Sequence, residues 1–248
     1  MGVSEEEQVR EGSEMMDAWL FAAGNGMRLR PLTSDFQKCL LPVRGKPMLE
    51  WWLDAVFDSE IFDRVHVNVH HMADQVTKWL LEYSEKKHRA VVVIDERVAL
   101  LGTAGTLYFH AEYGRDFMTG YTDTFSEDVL LSGGLMRLFE EWRNKPKDTL
   151  AGLVPFKSPP DASAGRIVTD GQKNIIGFKE KALPGKGIVW SGIMFADSKV
   201  LDLISQTDKD IAFDLLPRLC HKMITVGFID AYDIGRGVEH YECLKESV

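Results

Sequence analysis

The chain has 248 residues, 45% of them hydrophobic, which is enough for one large α/β domain with a buried core. A formal net charge of -9 at pH 7 and a sequence pI near 5.3 argue against a general affinity for nucleic acid or an anionic membrane, because both reward positive charge. The three cysteines are widely spaced and no apolar run is long enough to span a bilayer, so a reduced cytoplasmic setting is expected.

The amino terminus is acidic and polar. Residues 1–14 are expected to form a disordered tail, since a signal peptide would be basic and then apolar. Residues 15–248 are expected to form a single domain, because the length suits one α/β unit and no internal repeat or low-complexity segment is visible.

A glycine loop follows the first apolar run. Residues 18–23 are apolar and break into Gly24, Asn25 and Gly26, which predicts a strand that ends in a tight loop. Glycine lets the backbone approach a ligand closely, so successive N–H groups can converge on phosphate oxygens. Two cations, Arg28 and Lys38, follow at short distances along the chain.

Strand and helix patterns then alternate. Apolar residues at helical spacing predict helices over residues 48–57 and 72–85. Alternating or β-branched runs predict strands over residues 64–70 and 90–94. This order predicts an α/β fold, with a Rossmann-like mixed, mainly parallel sheet flanked by helices.

Small residues open the next predicted helix, in the sequence LGTAG at 101–105. Such residues let a flat group lie against the backbone. The strand predicted over 116–124 ends in a polar loop with a lone carboxylate, Asp123. Because ligands collect at the carboxyl ends of strands in parallel sheets, Asp123 is placed where a metal ligand would be useful.

The second half mixes strands, a hairpin and helices. Its predicted elements are a helix at 135–142, a strand at 149–155, an antiparallel hairpin with strands at 166–168 and 175–179, a strand at 188–195, helices at 198–205 and 211–221, and a strand at 224–228. Asp233 and Gly235 then precede a last helix.

The stretch from Gly24 to Pro47 carries a dense motif. The pattern G-x-G-x-R-L-x-P-L-T, followed by P-K-x-L-x-P-x-x-x-x-P, is matched at Gly24, Gly26, Arg28, Leu29, Pro31, Leu32, Thr33, Lys38, Leu40, Pro42 and Pro47. In these residues the chain resembles the sugar-1-phosphate nucleotidyltransferases. LGTAG is similar to the base-recognition turn of mannose-1-phosphate guanylyltransferases, GRIVTDGQKNIIGFKEK to the sugar-binding hairpin, and YDIGRGVEHYE to the closing D-I-G-T-P-E-x-Y segment.

The resemblance implies a GT-A-like nucleotidyltransferase fold. Many members add a carboxy-terminal β-helix of hexapeptide repeats; this chain ends at Val248 without one, so the short catalytic form is expected. The implied reaction is attack of a sugar 1-phosphate on the α-phosphorus of a nucleoside triphosphate, with release of pyrophosphate. LGTAG favours GTP as the donor, and the resemblance allows a homo-oligomer.

The resemblance also implies roles for individual residues. Two polyanions must meet, which calls for fixed cations, backbone donors and a divalent metal. Arg28 and Lys38 are the implied catalytic cations, and Asp123 and Asp233 the implied ligands of one Mg²⁺. The implied nucleotide-binding residues are Ala22, Ala23, Gly24, Asn25, Gly26, Gly102, Thr103 and Gly105. The implied sugar-phosphate-binding residues are Gly165, Glu180, Lys181, Trp190 and Gly192.

Several positions depart from the family pattern. Gln37 stands where Pro is usual, Thr122 replaces the Gly before Asp123, and Trp190 and Ser191 replace an N-x-G start of the sugar-binding strand. The sugar or cyclitol phosphate therefore stays open, as does the choice among guanine, thymine, uracil and cytosine. A non-catalytic regulatory subunit that binds a nucleotide sugar is a further alternative. A dinucleotide-dependent oxidoreductase ranks last, because a G-x-G-x-x-G motif is missing.

Overall fold

The computed structural model describes residues 16–158, 165–179 and 187–245. The predicted tail at 1–14 lies outside the described residues, as do Glu180 and Lys181. The described elements are β1 Met16–Phe21, β2 Pro42–Val43, β3 Lys46–Pro47, α1 Met48–Asp58, β4 Arg64–Val69, α2 Ala73–Lys87, β5 Val92–Asp95, α3 Gly102–His110, β6 Asp116–Tyr121, β7 Thr124–Phe125, α4 Glu127–Leu131, α5 Gly134–Arg143, β8 Ala151–Ser158, β9 Arg166–Thr169, β10 Ile175–Lys179, β11 Gly187–Ala196, β12 Met223–Thr225, β13 Tyr232–Asp233 and α6 Val238–Lys245.

One mixed sheet organises these elements. Its strand order is β10-β9-β11-β6-β1-β4-β5, with β8 against β11 and β12 against β8. β6, β1, β4 and β5 run parallel, whereas β11 is antiparallel to β6, β8 and β9. The predicted α/β fold is confirmed, and the described residues contain no β-helix.

The central strand explains the layering. All six residues of β1 are buried, as expected for a strand covered on both faces. One core cluster packs α1, α2, α5 and α6 against the sheet. A second cluster packs α3 and the segment 200–219 on the other face. None of the helices that the structure describes combines the length and apolar character needed to cross a bilayer.

The predicted helix at 211–221 was wrong. The chain forms a five-residue π-helical turn at Ile211–Leu215 and then a 3₁₀ turn at Leu216–Leu219. Pro217 lies in the second turn; it has no N–H to continue an α-helical ladder and fits only near a helix start. The predicted helix at 198–205 is likewise a 3₁₀ turn, Ser198–Leu203. The antiparallel hairpin is confirmed as β9 and β10.

Candidate active site

The site begins where two neighbouring strands end. β1 and β6 are parallel, and their last residues, Phe21 and Tyr121, pair with each other. The glycine loop and the Thr122-Asp123 turn therefore leave the same edge of the sheet. Thr122 is buried and its Oγ1 donates to the Phe21 carbonyl at 2.9 Å. The threonine that replaces the usual glycine thus ties the two strand ends together.

Lys38 and Asp123 form an ion pair at this edge. Lys38 begins a 3₁₀ turn, and its Nζ lies 2.5 Å from Asp123 Oδ2. Burial raises the pKa of Asp123, but the Lys38 charge and hydrogen bond outweigh it and hold that pKa below its usual range. A Cβ on Gly24 would lie 3.6 Å from Lys38 Nζ, so the glycine loop runs directly beside this cation.

The second carboxylate arrives from the end of the chain. β13 pairs with β7, which sets Asp233 opposite Thr124 and next to Asp123. A Cβ on Gly235 would lie 2.8 Å from Asp123 Oδ2, 3.0 Å from Asp233 Oδ1 and 3.2 Å from Lys38 Nζ. These three charged groups therefore surround one point, where a side chain on residue 235 would displace at least one of them.

The close carboxylates influence each other. Burial and then the Asp123 charge raise the pKa of Asp233 to about 6. Mg²⁺ commonly binds one or two carboxylates together with substrate phosphates. No cluster of three or more His, Cys, Asp and Glu side chains able to hold a metal occurs among the described residues. The pair of Asp123 and Asp233 is thus a donor set that fits Mg²⁺ shared with a phosphate ligand.

Arg28 lies on the solvent side of this group. It belongs to the 3₁₀ turn Met27–Leu29, which packs against the turn Ile234–Arg236 that follows Asp233. The side chain is exposed, yet its charge favours the ionised forms of both Asp123 and Asp233 and so opposes the burial that raises their pKa values. Arg28 is therefore a cation at the edge of the carboxylate pair. Asn25 is exposed on the same loop, while Gly26 is held by Thr33, whose Oγ1 donates to its carbonyl at 2.7 Å.

A cleft of about 340 Å³ opens beside these groups. This volume falls in the range of small-molecule sites. Its walls include the predicted residues Ala22, Ala23, Gly24, Lys38, Gly102, Thr103 and Asp123. Sequence reasoning missed the other lining residues, which are Phe21, Asn68, Leu100, Tyr121, Thr122, Lys209 and Asp210.

The small residues of LGTAG dock the start of α3 onto a neighbouring segment. Gly102 has φ +79°, and a Cβ there would lie 2.2 Å from the Lys209 carbonyl oxygen. Thr103 Oγ1 accepts a hydrogen bond from Ile211 N at 3.0 Å. Gly105 is buried and faces the Asp208 carbonyl instead of the cleft. Gly102 and Thr103 therefore line the cleft, and Gly105 contributes a close backbone contact behind it.

Trp190 and Gly192 lie behind the cleft wall. Trp190 is buried, its indole N–H donates to the Ile193 carbonyl at 2.8 Å, and its ring lies 5.3 Å from that of Tyr121. Gly192 has φ +90°, and a Cβ there would lie 2.8 Å from the Tyr121 ring. The Gly165 carbonyl accepts from Trp190 N at 3.0 Å. These residues support Tyr121, which lines the cleft.

A buried polar network also escaped sequence reasoning. Asn68 Oδ1 accepts from Ala22 N at 2.8 Å, and its amide nitrogen donates to Glu96 Oε1 at 3.1 Å. Glu96 Oε2 in turn accepts from Leu101 N at 3.1 Å. The network links the glycine loop to LGTAG. The sequence feature that could have indicated this network is Asn68, a polar residue between two of the alternating valines of β4.

The family model described as nucleotidyl transferase matches residues 18–239. The chain belongs to the nucleotidyl transferase family. This membership confirms the resemblance drawn from the glycine loop and its cations. The matched range includes the loop, Lys38, both carboxylates and Gly235.

Relatives within the nucleotidyl transferase family carry different names. A UTP–glucose-1-phosphate uridylyltransferase of Synechocystis sp. is 26% identical over 93% of this chain and 63% of its own length. A putative mannose-1-phosphate guanyltransferase of Sulfolobus acidocaldarius is 28% identical over 83% of this chain and 54% of its own length. The chain thus spans between about half and two thirds of these relatives. A D-glycero-alpha-D-manno-heptose 1-phosphate guanylyltransferase of Aneurinibacillus thermoaerophilus is 24% identical over 93% of this chain and 98% of its own.

Solved structures share this nucleotidyl transferase fold. HddC from Yersinia pseudotuberculosis aligns with a TM-score of 0.74 and 21% identity, over 94% of this chain and 99% of that one. The CTP:phosphocholine cytidylyltransferase of Streptococcus pneumoniae aligns with a TM-score of 0.71 and 17% identity, over 94% and 98% of the two chains. At these identities the likeness is one of fold.

Proposed function

We propose that this chain transfers a nucleoside monophosphate from a nucleoside triphosphate, preferably GTP, to a sugar 1-phosphate, giving a nucleotide sugar and pyrophosphate. One observation carries the proposal. Lys38, Asp123 and Asp233 converge around Gly235, next to the glycine loop and at the edge of a cleft of about 340 Å³. Such a site would offer the fixed cation, backbone donors and metal ligands that the joining of two phosphates requires.

The two cations, Arg28 and Lys38, would bind different phosphates of the triphosphate. Arg28, with its planar guanidinium, would bind the β and γ phosphates and the departing pyrophosphate. Lys38 would stabilise negative charge at the α-phosphorus, where the acceptor oxygen attacks. Asp123 and Asp233 would hold Mg²⁺, which when bound neutralises phosphate charge. Ala22, Ala23 and the loop from Gly24 to Gly26 would supply N–H donors to the phosphates.

The base and the sugar meet different walls of the cleft. Gly102 and Thr103 would lie against the base, and Gly105 would support them from behind α3. The LGTAG sequence and two relatives named as guanylyl- or guanyltransferases favour GTP. The relative named as a uridylyltransferase makes UTP the second candidate. At the sugar end, Gly165, Glu180 and Lys181 would bind the acceptor, and Trp190 and Gly192 would act through Tyr121.

A pyrophosphate-release assay tests the proposal. The purified chain, with Mg²⁺, is given GTP, UTP, CTP or dTTP together with hexose 1-phosphates, heptose 1-phosphates and cyclitol phosphates. The expected result is release only when both substrates are present, with the highest kcat/KM for GTP. A higher kcat/KM for UTP would overturn the base assignment alone. No release with any pair would overturn the enzymatic proposal and favour a regulatory subunit.

A further inference from the structure

Gln37 lies buried at the meeting point of three loops. Only 1% of its surface is exposed, and it directly precedes Lys38. The resembled family pattern has proline at this position. A proline offers neither a backbone N–H nor a polar side chain, so whatever Gln37 binds is a feature of this chain.

The side-chain amide of Gln37 binds the glycine loop. Its Nε2 donates to the carbonyl oxygens of Ala22 at 3.2 Å and Gly24 at 3.0 Å, and to that of His71 at 3.1 Å. Its Oε1 accepts from Cys39 N at 3.2 Å, which caps the turn that carries Lys38. One buried amide therefore connects the phosphate-facing loop to the catalytic turn.

These contacts set the direction of the loop N–H groups. The peptide bonds of the loop are trans, so each carbonyl and the N–H of the next residue point in opposite directions. With the carbonyls of Ala22 and Gly24 bound by Gln37, the N–H groups of Ala23 and Asn25 point away from it. A carbonyl held in this way is also kept from turning toward an anionic ligand, which it would repel.

Gln75 braces Gln37 from the helical side. Gln37 N donates to Gln75 Oε1 at 2.7 Å, and Gln75 Nε2 donates to the Asp35 carbonyl at 3.2 Å. Gln75 lies in the first turn of α2, which packs into the main core cluster. Through Gln75, Gln37 is thereby anchored on a helix that packs into the core.

We propose that Gln37 is a positioning residue that orients the N–H groups of Ala23 and Asn25 toward the triphosphate and fixes Lys38 beside them. The inference deepens the proposed function and rests on it. Gln37 touches no reacting atom; it acts through the loop and through Lys38.

The backbone at Gln37 provides a sharp control. Its φ of -70° and ψ of 134° are angles that proline adopts without strain. Gln37→Pro therefore keeps the backbone angles of residue 37 while removing every side-chain contact and the N–H bond to Gln75, whose Oε1 must move away from the proline ring. Gln37→Met keeps the side-chain length and neutrality but removes the amide. Tyr83→Phe is the matched stability control, since it removes a hydrogen bond to Asp54 in a cluster that does not line the cleft.

The experiment measures kcat, the KM of each substrate, the Tm, and the affinity for Mg²⁺-pyrophosphate. Gln37→Met and Gln37→Pro are expected to lower kcat/KM for the nucleotide by about tenfold to 100-fold, because small misplacements of phosphate donors are costly. Pyrophosphate affinity should fall in parallel, while the KM for the sugar phosphate stays within about twofold. Tyr83→Phe should lower the Tm and leave these constants unchanged.

Two outcomes contradict the inference separately from the proposed function. If the wild type is active and Gln37→Met retains wild-type kcat/KM and pyrophosphate affinity, Gln37 does not position the loop. Wild-type constants in Gln37→Pro would show that backbone shape alone suffices. If the wild type turns over no substrate pair, the proposed function fails, and pyrophosphate affinity decides the inference: equal affinities of wild type and Gln37→Met overturn it.

Discussion

Asp17 is a buried carboxylate on β1, at the end of the strand remote from the cleft. It is 1% exposed and pairs with Arg64 at 2.7 Å and Arg115 at 2.8 Å. Burial raises its pKa, but the contacts with His66, Arg64 and Arg115 outweigh burial and hold the pKa well below the ordinary value of 3.8. A carboxylate with a depressed folded-state pKa stabilises the fold above its unfolded-state pKa and loses that contribution as pH falls.

Asp17→Asn should therefore destabilise the protein at neutral pH. Loss of the charge leaves two arginines without their buried partner, so the free energy of unfolding should fall by about 3 kcal/mol. The difference from wild type should shrink as the pH falls below 3.8, because Asp17 of the unfolded chain then takes up a proton while the folded carboxylate stays ionised. Urea denaturation from pH 3 to 7 measures both effects. Asp63→Asn, at a half-exposed partner of Arg115, should cost less than about 1 kcal/mol; equal losses would contradict the account.

Asp233 should make the Mg²⁺ concentration that turnover requires depend on pH. Because its pKa is raised to about 6, the side chain takes up a proton as pH falls below that value and cannot then bind Mg²⁺ as a carboxylate. The Mg²⁺ concentration for half-maximal turnover should rise about fivefold between pH 6 and pH 5, because about half of the Asp233 side chains are already protonated at pH 6. Asp233→Asn should need more Mg²⁺ throughout and lose this step. A Mg²⁺ requirement that is flat from pH 5 to 7 in the wild type would contradict the role of Asp233.

Among the elements, the start of α3 has the tightest backbone contact in the site. Gly102→Ala would set a Cβ 2.2 Å from the Lys209 carbonyl oxygen and strain a backbone with φ +79°. The expected loss is about 3 kcal/mol of stability, from the φ strain and from separating two packed segments. The KM for the nucleotide should rise as well, because both segments line the cleft.

Gly114→Ala separates the effect of backbone strain from the effect of the contact with Lys209. Gly114 has φ +86°, but a Cβ there would meet nothing within 4 Å. The expected loss is about 1 kcal/mol with unchanged KM, because only backbone strain is added. Equal changes in Tm and KM for the two variants would show that the contact with Lys209 does not shape the site.

Local patterns explain which elements could be predicted. The glycine loop and Lys38 lie within fifteen residues of each other, so their spacing along the chain already implied proximity. The helices α1 and α5 follow from apolar periodicity. The helix predicted over 211–221 failed although its apolar pattern is helical, because Pro217 has no N–H to continue an α-helical ladder. Tyr121 and the link from Asn68 to Glu96 depend on the register of β1, β4 and β6, which no local pattern encodes.

Across the whole molecule, two halves of the sheet supply different parts of the cleft. The parallel strands β1 and β6 deliver the glycine loop and Asp123, and the antiparallel β11 supports Tyr121 through Gly192. The pairing of β7 with β13 brings in Asp233 from 110 positions along the chain after Asp123. The family resemblance already implied that Asp123 and Asp233 act together. That both side chains approach Gly235 could be seen only in the fold.

The fate of the α-phosphate tests the central claim most directly. The wild type, Lys38→Ala and the surface control Lys78→Ala are incubated with the accepted sugar 1-phosphate and GTP labelled at either the α or the γ phosphorus. Wild type and Lys78→Ala should place the α label in the nucleotide sugar and the γ label in pyrophosphate, and Lys38→Ala should lose at least about 100-fold in rate while remaining folded. Transfer of the γ label to the sugar, or wild-type rates in Lys38→Ala, would contradict nucleotidyl transfer at this site.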